Sequence, residues 1–170
     1  KFFIAKYPKY VIAVICPEYD SQFYAEALSA LQRILSEYGC EICVASTDFE
    51  FQKERDLLEY YNHYADVDGI IVIHGSVTAD FHSQIPIVTI YSGSHYGMAD
   101  ITCAYRDSLE QAFRHFIAQG IDSIGFIGDP HTQLKLGWFR EVSAKLGLAI
   151  SEQSIAISDT RFEAGGYQAM

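Results

Sequence analysis

Cys40 and Cys43 stand in the run Cys-Glu-Ile-Cys, the spacing of a dithiol redox pair. A working pair of that kind sits at a helix N-terminus, where the helix dipole stabilises a thiolate. Here the two follow Gly39, at a helix end that leads into a strand, so they read as structural thiols. A zinc site needs further ligands at suitable spacing, and the six histidines do not supply them. His63 and His115 fall in helical stretches and read as structural or solvated. His74 ends an apolar run and His95 lies in a Gly- and Ser-rich loop; each is a ligand-binding residue or a neutral loop histidine. In YSGSHYG, Ser94 directly follows Gly93, which breaks the Gly-x-Ser-x-Gly spacing of a nucleophile elbow, and a strand comes next. No Walker loop and no Gly-x-Gly-x-x-Gly occurs. Glu18 and Asp20 pair two carboxylates that suit general acid and base work, although such groups more often cap helices or accept hydrogen bonds from ligand hydroxyls. No catalytic residue, metal or cofactor emerges, so an enzyme is not expected.

The chemistry that remains is that of binding. Tyr19, Asp20, Gln22, Phe23, His74, Tyr91, Ser92, His95 and Asp129 all fall where apolar runs end. Aromatic faces stack on the apolar faces of sugar rings, and carboxylates, amides and hydroxyls bond the ring hydroxyls. The bland alternative is that loops are polar in any protein.

These residues need a frame. VIAVIC (Val11 to Cys16) is apolar at every position, as in a strand covered on both faces. Asp20 or Ser21 can cap the helix that follows. In it Tyr24, Ala27, Leu28, Leu31, Ile34, Leu35 and Tyr38 recur at three- and four-residue steps, and Gly39 stands at the C′ position. EICVAS is a second strand, and Phe51 to Tyr64 a second helix. DGIIVIHG, QIPIVTIYSG and ADITCAY are further strands; then come a helix from about Ser108 to Gln119 and the strand SIGFIGD. A helix near Leu134 to Leu146, the strand SIAISD and a helix in EAGGYQAM complete the series. Strand and helix alternate with short connections, which predicts an α/β fold with a doubly wound parallel sheet. Ligands of such sheets bind outside the carboxyl ends of the strands, so the loops PEYDSQF, STDFE, HGSV, YSGSHYG and GDPHTQ are the ones to watch.

Composition narrows the class. The 170 residues are 49% hydrophobic and 20% charged, as in a globular protein with a real core. A formal net charge of −10 repels phosphate backbones, so this chain is not expected to bind nucleic acid by itself. No apolar run approaches the roughly 20 residues that span a bilayer. Lys1 is followed by FFIA, with no long apolar region and no small-residue cleavage site, so no signal peptide is expected; the absence of an initiator Met leads us to expect a missing upstream segment. Cys16, Cys40, Cys43 and Cys103 are too few for a disulfide scaffold and point to buried thiols in a reducing, cytoplasmic setting.

From about Lys9 onward the order of segments resembles the effector-binding domain of LacI/GalR-type transcriptional repressors, itself similar to periplasmic sugar-binding proteins. The matching stretches are VIAVICPEYDSQFYAEALSALQRILSEYGCEICVASTD, KERDLLEYYNHYADVDGIIVIHG, IPIVTIYSG, DSLEQAFRHFIAQGIDSIGFIGDP and LGWFREVSAKLGL with FEAGGYQAM. The resemblance implies two periplasmic-binding-protein-like lobes, a small effector in the cleft between them, a homodimer, and DNA contact only through a helix-turn-helix head that this chain lacks. It also implies that residues 1–106 form the first lobe and residues 107–170 only the opening of an incomplete second one. Asp20, Ser21, Gln22 and Phe23 stand where the family often shows Ser-Asn-Pro-Phe, which makes Asp20, Ser21 and Phe23 effector contacts. Tyr91 and Ser92 replace a frequent Asp-Arg, and Ala104 and Tyr105 an Asp-Asn. Leu134 occupies the place of an arginine common in sugar-responsive members, with Lys135 and Arg140 as candidate replacements. Asp20, Ser21, Phe23, His74, Tyr91, Ser92, Asp129, Lys135 and Arg140 make the expected effector site. The GFIGD and REV segments resemble the branch that controls β-galactosidase genes, so a galactoside is the first sugar to expect. The rival reading, a periplasmic-type sugar-binding protein of a transport system, has the same lobes and would carry a secretory signal.

Overall fold

An apolar hexapeptide such as VIAVIC has no polar face to turn to water and must be covered on both sides. The structure, a computed structural model, describes residues 9–19, 21–75, 81–90, 99–121 and 123–170. In it this segment is β1 (Tyr10–Cys16), with Ala13 to Cys16 fully buried. On one side β1 pairs with β2 (Cys40–Ser46), and on the other with β3 (Gly69–Ile73). Beyond β3 lie β4 (Ile87–Ile90) and β5 (Ala99–Ile101). All four pairings are parallel, in the order β2-β1-β3-β4-β5. The expected doubly wound sheet is present.

Period-two alternation along β1 decides which helix covers which face. Val14 and Cys16 pack with Tyr24, Ala27, Leu28 and Leu31 of α1 (Gln22–Glu37). Ala13 and Ile15 pack with Leu57, Leu58 and Tyr61 of α2 (Phe51–His63). The two helices thus cover opposite faces while leading to strands on opposite sides of β1, which gives both crossovers the same hand. Each fully buried Ile or Leu here contributes about 1.5–3 kcal/mol. Gly39 closes α1 at φ +73°, a left-handed turn that costs glycine nothing, and its N–H donates to Ser36 O at 3.0 Å.

The chain divides into two compact units, Lys1–Cys103 and Ala104–Met170. The second holds α3 (Tyr105–Ala118), β6 (Phe126–Gly128), α4 (Gln133–Lys145), β7 (Ile155–Ile157) and α5 (Phe162–Ala169). β6 and β7 form a parallel pair. Phe113 of α3 and Leu136, Phe139 and Val142 of α4 gather with Phe126 and Ile155 into its core. The Phe139 ring meets Phe113 edge-on at 5.4 Å and Phe126 at 5.3 Å. Glu110 ties the two helices, accepting from Lys145 at 2.6 Å and from Arg114 at 2.8 Å.

Three local departures from the sequence reading have physical causes. Helix α3 starts three residues before Ser108, because the Ala104 carbonyl already accepts the Ser108 N–H at 2.9 Å and Asp107 sits favourably in its first turn. A 3₁₀ turn over Pro130–Thr132 was not expected; Asp129 caps it, with proline at its first position. The cap expected from the Ser21 hydroxyl is not made, although Ser21 does stand at the N-cap of α1 with extended backbone.

Candidate functional site

Five parallel strands bring their carboxyl ends to one edge, so the turns after them share a rim. After β1 the chain moves to β2 on one side, and it returns to β3 on the other. The turns after β1 and β3 therefore part, and the gap between them is where such sheets take ligands. Among the described residues, the turn after β1 holds Pro17 to Tyr19 and Ser21, that after β2 Thr47 to Glu50, and that after β3 starts at His74. Backbone bonds join the first two, from Thr47 N to Cys16 O (2.9 Å) and from Asp48 N to Pro17 O (2.8 Å).

Three of the expected contacts lie on this rim. The Ser21 Oγ is buried and has no hydrogen-bond partner among the described residues. A buried hydroxyl in that state is short of about one hydrogen bond, which a ligand hydroxyl would supply. Phe23 is 45% exposed, with its ring edge-on to the buried Tyr24 at 5.0 Å. His74 is exposed and holds φ +60°, and its N–H donates to Ile90 O at 2.7 Å. Asp20, Tyr91 and Ser92, with His95, lie outside the described residues.

The rim also carries a residue that the sequence reading passed over. Phe49 sits edge-on to His74, ring centres 6.5 Å apart, and packs at its base on the cluster of Val14, Cys16, Tyr24 and Ile73. Asp48 and Phe49 hold φ +53° and +63°. Left-handed backbone is uncommon for non-glycine residues and persists where neighbours enforce it. Here Asp48 is paired with Lys53, and its Oδ1 lies 2.7 Å from the Ser46 hydroxyl. The bonds to Lys53 and then to Ser46 hold the Asp48 carboxyl below its ordinary pKa. The STDFE loop was flagged as a strand end, but no periodicity announces a left-handed phenylalanine.

In the second unit the carboxyl ends of β6 and β7 bring Asp129 beside Arg161, whose Nε lies 3.4 Å from Asp129 Oδ2. The Arg161 guanidinium lies 4.4 Å from the centre of the Phe162 ring, and Phe162 is exposed at φ +58°. Neither Arg161 nor Phe162 was singled out, although both follow a predicted strand. Lys135 stands over the Tyr105 ring at 5.2 Å, and that ring stacks on Trp138 at 6.1 Å. Arg140 is not brought to the strand ends. It reaches Glu152 at 2.9 and 2.8 Å, on the segment that enters β7, and lines a shallow recess there with Ser143 and Leu148.

The thiols are not arranged for chemistry. Burial pushes the Cys16 thiol up to about 11, so it is no nucleophile near neutrality. Cys40 and Cys43 lie three residues apart along β2, on opposite faces and roughly 10 Å from each other, too far for a disulfide. All four cysteines are free. Among the described residues no group of three His, Cys, Asp or Glu side chains is placed to hold a metal, and no helix is long and apolar enough to cross a membrane.

No protein-family model matches the chain. It is 27% identical over 173 residues to the HTH-type transcriptional regulator DegA of Bacillus subtilis (strain 168), which covers 94% of this chain and 51% of that protein. It is 26% identical over 166 residues to catabolite control protein A of Priestia megaterium, covering 91% and 49%. The chain thus spans about half the length of these relatives. Among solved structures, a LacI family transcriptional regulator from Lactobacillus casei with bound sucrose superposes with a TM-score of 0.75 at 14% identity, over 94% of this chain and 62% of that one. The regulator CcpA of Lactococcus lactis gives 0.68 at 19% identity, over 93% and 62%.

Proposed function

We propose that this chain, which resembles LacI/GalR-type regulators in sequence and their effector domains in fold, is the ligand-sensing part of a sugar-responsive transcriptional regulator. The relatives named above are regulators, which favours sensing over transport or catalysis. The observation that carries the reading is the switch-point rim of the first unit. There the buried, unpartnered Ser21 hydroxyl shares one sheet edge with Phe23, Phe49 and His74. A hydroxyl with aromatic faces is how a polyhydroxylated ring is held without being altered.

In this reading Lys1–Cys103 belongs to the first lobe and Ala104–Met170 to the second, a division three residues earlier than the expected 1–106 and 107–170. The effector is a small neutral carbohydrate, a galactoside first, held by Ser21, Phe23, His74, Asp129 and Lys135, with Asp20, Tyr91 and Ser92 as further contacts. The regulator works in the cytoplasm as a homodimer and touches DNA through a separate head domain. Effector acts by population shift, favouring one lobe arrangement over another in proportion to its differential affinity.

A melting-temperature screen of the chain tests this, with galactose, lactose, glucose and sucrose beside a purine base and amino acids. A ligand at one hundred times its Kd adds about 2.7 kcal/mol of stability. The expected result is a rise with a sugar that shrinks in Ser21→Ala and His74→Ala. A rise with only a purine or an amino acid overturns the assignment to sugars.

A further inference from the structure

The geometry points to the Arg161–Asp129 pair as the element that sets the charge class of the effector: it accepts a neutral polyhydroxylated ring and turns away a phosphorylated or carboxylated one. This assignment rests on the sensing function proposed above and deepens it.

Both residues are fixed at the carboxyl edge of the two-stranded sheet. Gly128 pairs with Ile157, and directly beyond them Ser158 N donates to Gly128 O at 2.8 Å. Asp129 holds its place by capping the 3₁₀ turn, with His131 N donating to its Oδ1 at 2.8 Å. Arg161 is positioned by the loop before it, where Thr160 N donates to Ser158 Oγ (3.2 Å) and Thr160 Oγ1 to Gln168 Oε1 (3.0 Å). Gly165 allows that loop to lie on α5, since a Cβ there would run into the Thr160 carbonyl oxygen. The side chains of Arg161 and Asp129 are only 25% and 14% exposed, so their charges interact in a medium less polar than water.

A planar donor beside a carboxylate acceptor, over the face of Phe162, suits vicinal hydroxyls that donate and accept at once. An anion would need a cation that is not already neutralised. The second unit has six lysines and arginines, and five of them face carboxylates: Arg106 to Glu141, Arg114 and Lys145 to Glu110, Arg140 to Glu152, and Arg161 to Asp129. The sixth, Lys135, keeps its charge over the Tyr105 ring, so the discrimination is made at the Arg161 position. At the Arg161 position a phosphate would meet the Asp129 carboxylate together with the guanidinium, so the attraction of one is offset by the repulsion of the other.

Titration calorimetry of the chain with galactose and galactose 6-phosphate, and with glucose and glucose 6-phosphate, tests the assignment. A neutral sugar is expected to bind at least tenfold tighter than its phosphate. Asp129→Asn and Asp129→Ser both keep a capping oxygen while removing the charge, and each is expected to improve phosphate binding at least tenfold. Arg161→Gln is expected to weaken the neutral sugar about tenfold. Circular dichroism checks that each variant is folded. If a phosphosugar binds the wild-type chain as tightly as its parent, or if the ratio ignores both Asp129 substitutions, the assignment falls and the sensing function stands. If none of the four compounds binds, this assignment falls, and the sensing function is decided by the wider melting-temperature screen.

Discussion

Cys16 shows how far a single position can be read. Its place in an unbroken apolar run predicts a buried thiol, and its side chain is fully buried at the end of β1. Since burial lifts its pKa to about 11, a neutral thiol reagent is expected to label exposed Cys103 at pH 7.5 and leave Cys16 untouched until urea unfolds the chain. Mass spectrometry of labelled peptides checks this, and early labelling of Cys16 would contradict its burial. Asn62 was not legible. It sits near the end of α2, where a polar residue looks solvent-facing, yet it is buried. Its Oδ1 accepts from Gln84 N at 2.7 Å, and its Nδ2 donates to His82 O at 3.3 Å. Sequence alone gives no sign that a segment twenty residues later folds back on it. Asn62→Ala leaves the Gln84 N–H without its acceptor and is expected to cost about 1–3 kcal/mol in a urea titration. Asn62→Asp keeps that acceptor and is expected to cost less. Phe49, Arg161 and Phe162 were missed for a related reason: strained or paired side chains at strand ends carry no periodic signal.

Elements were easier to read, because periodicity is enforced by burial. The three- and four-residue apolar steps of α1 and the wholly apolar β1 follow from the faces they must cover, and their limits fall within a residue or so of those expected. The three-residue β5, β6 and β7 lie inside the expected runs ADITCAY, SIGFIGD and SIAISD, whereas the 3₁₀ turns over Pro130–Thr132 and Glu152–Ser154 span too few positions to show a period. How α3 meets α4 was also hidden, since Glu110 and Lys145 are far apart in the chain. The bonds from Lys145 and then Arg114 hold the Glu110 carboxyl below its ordinary 4.5. A carboxyl lowered by folding stabilises the folded state fully above its unfolded pKa, and the contribution is lost as pH falls through the folded value. The stability difference between wild type and Glu110→Gln is therefore expected to be present at pH 7 and to shrink below about pH 4.5. Urea midpoints measured across that range decide it; a difference that grows in acid would have the wrong sign.

At the scale of the molecule, strand and helix alternation revealed the sheet, and the resemblance named its family of folds; where the candidate site residues lie remained a matter of loops. Two compact units, each with its own apolar cluster, imply that damage stays local. Leu58→Ala empties a fully buried site in the first cluster and is expected to cost about 2–5 kcal/mol. Phe139→Ala does the same in the second, for about 3–5 kcal/mol. Hydrogen exchange is expected to show lost protection within residues 9–103 for the first substitution and within 104–170 for the second; loss spread evenly over both would mean that the units open as one. The placement of β1 between β2 and β3 has a further consequence during synthesis. VIAVIC leaves the ribosome ahead of β3, so one of its flanks stays bare until Gly69–Ile73 has been made some fifty residues later. At roughly 5–20 residues per second that wait lasts about 3–10 s, so nascent chains that stop short of β3 should be held by general chaperones, and chains carried past it should be released.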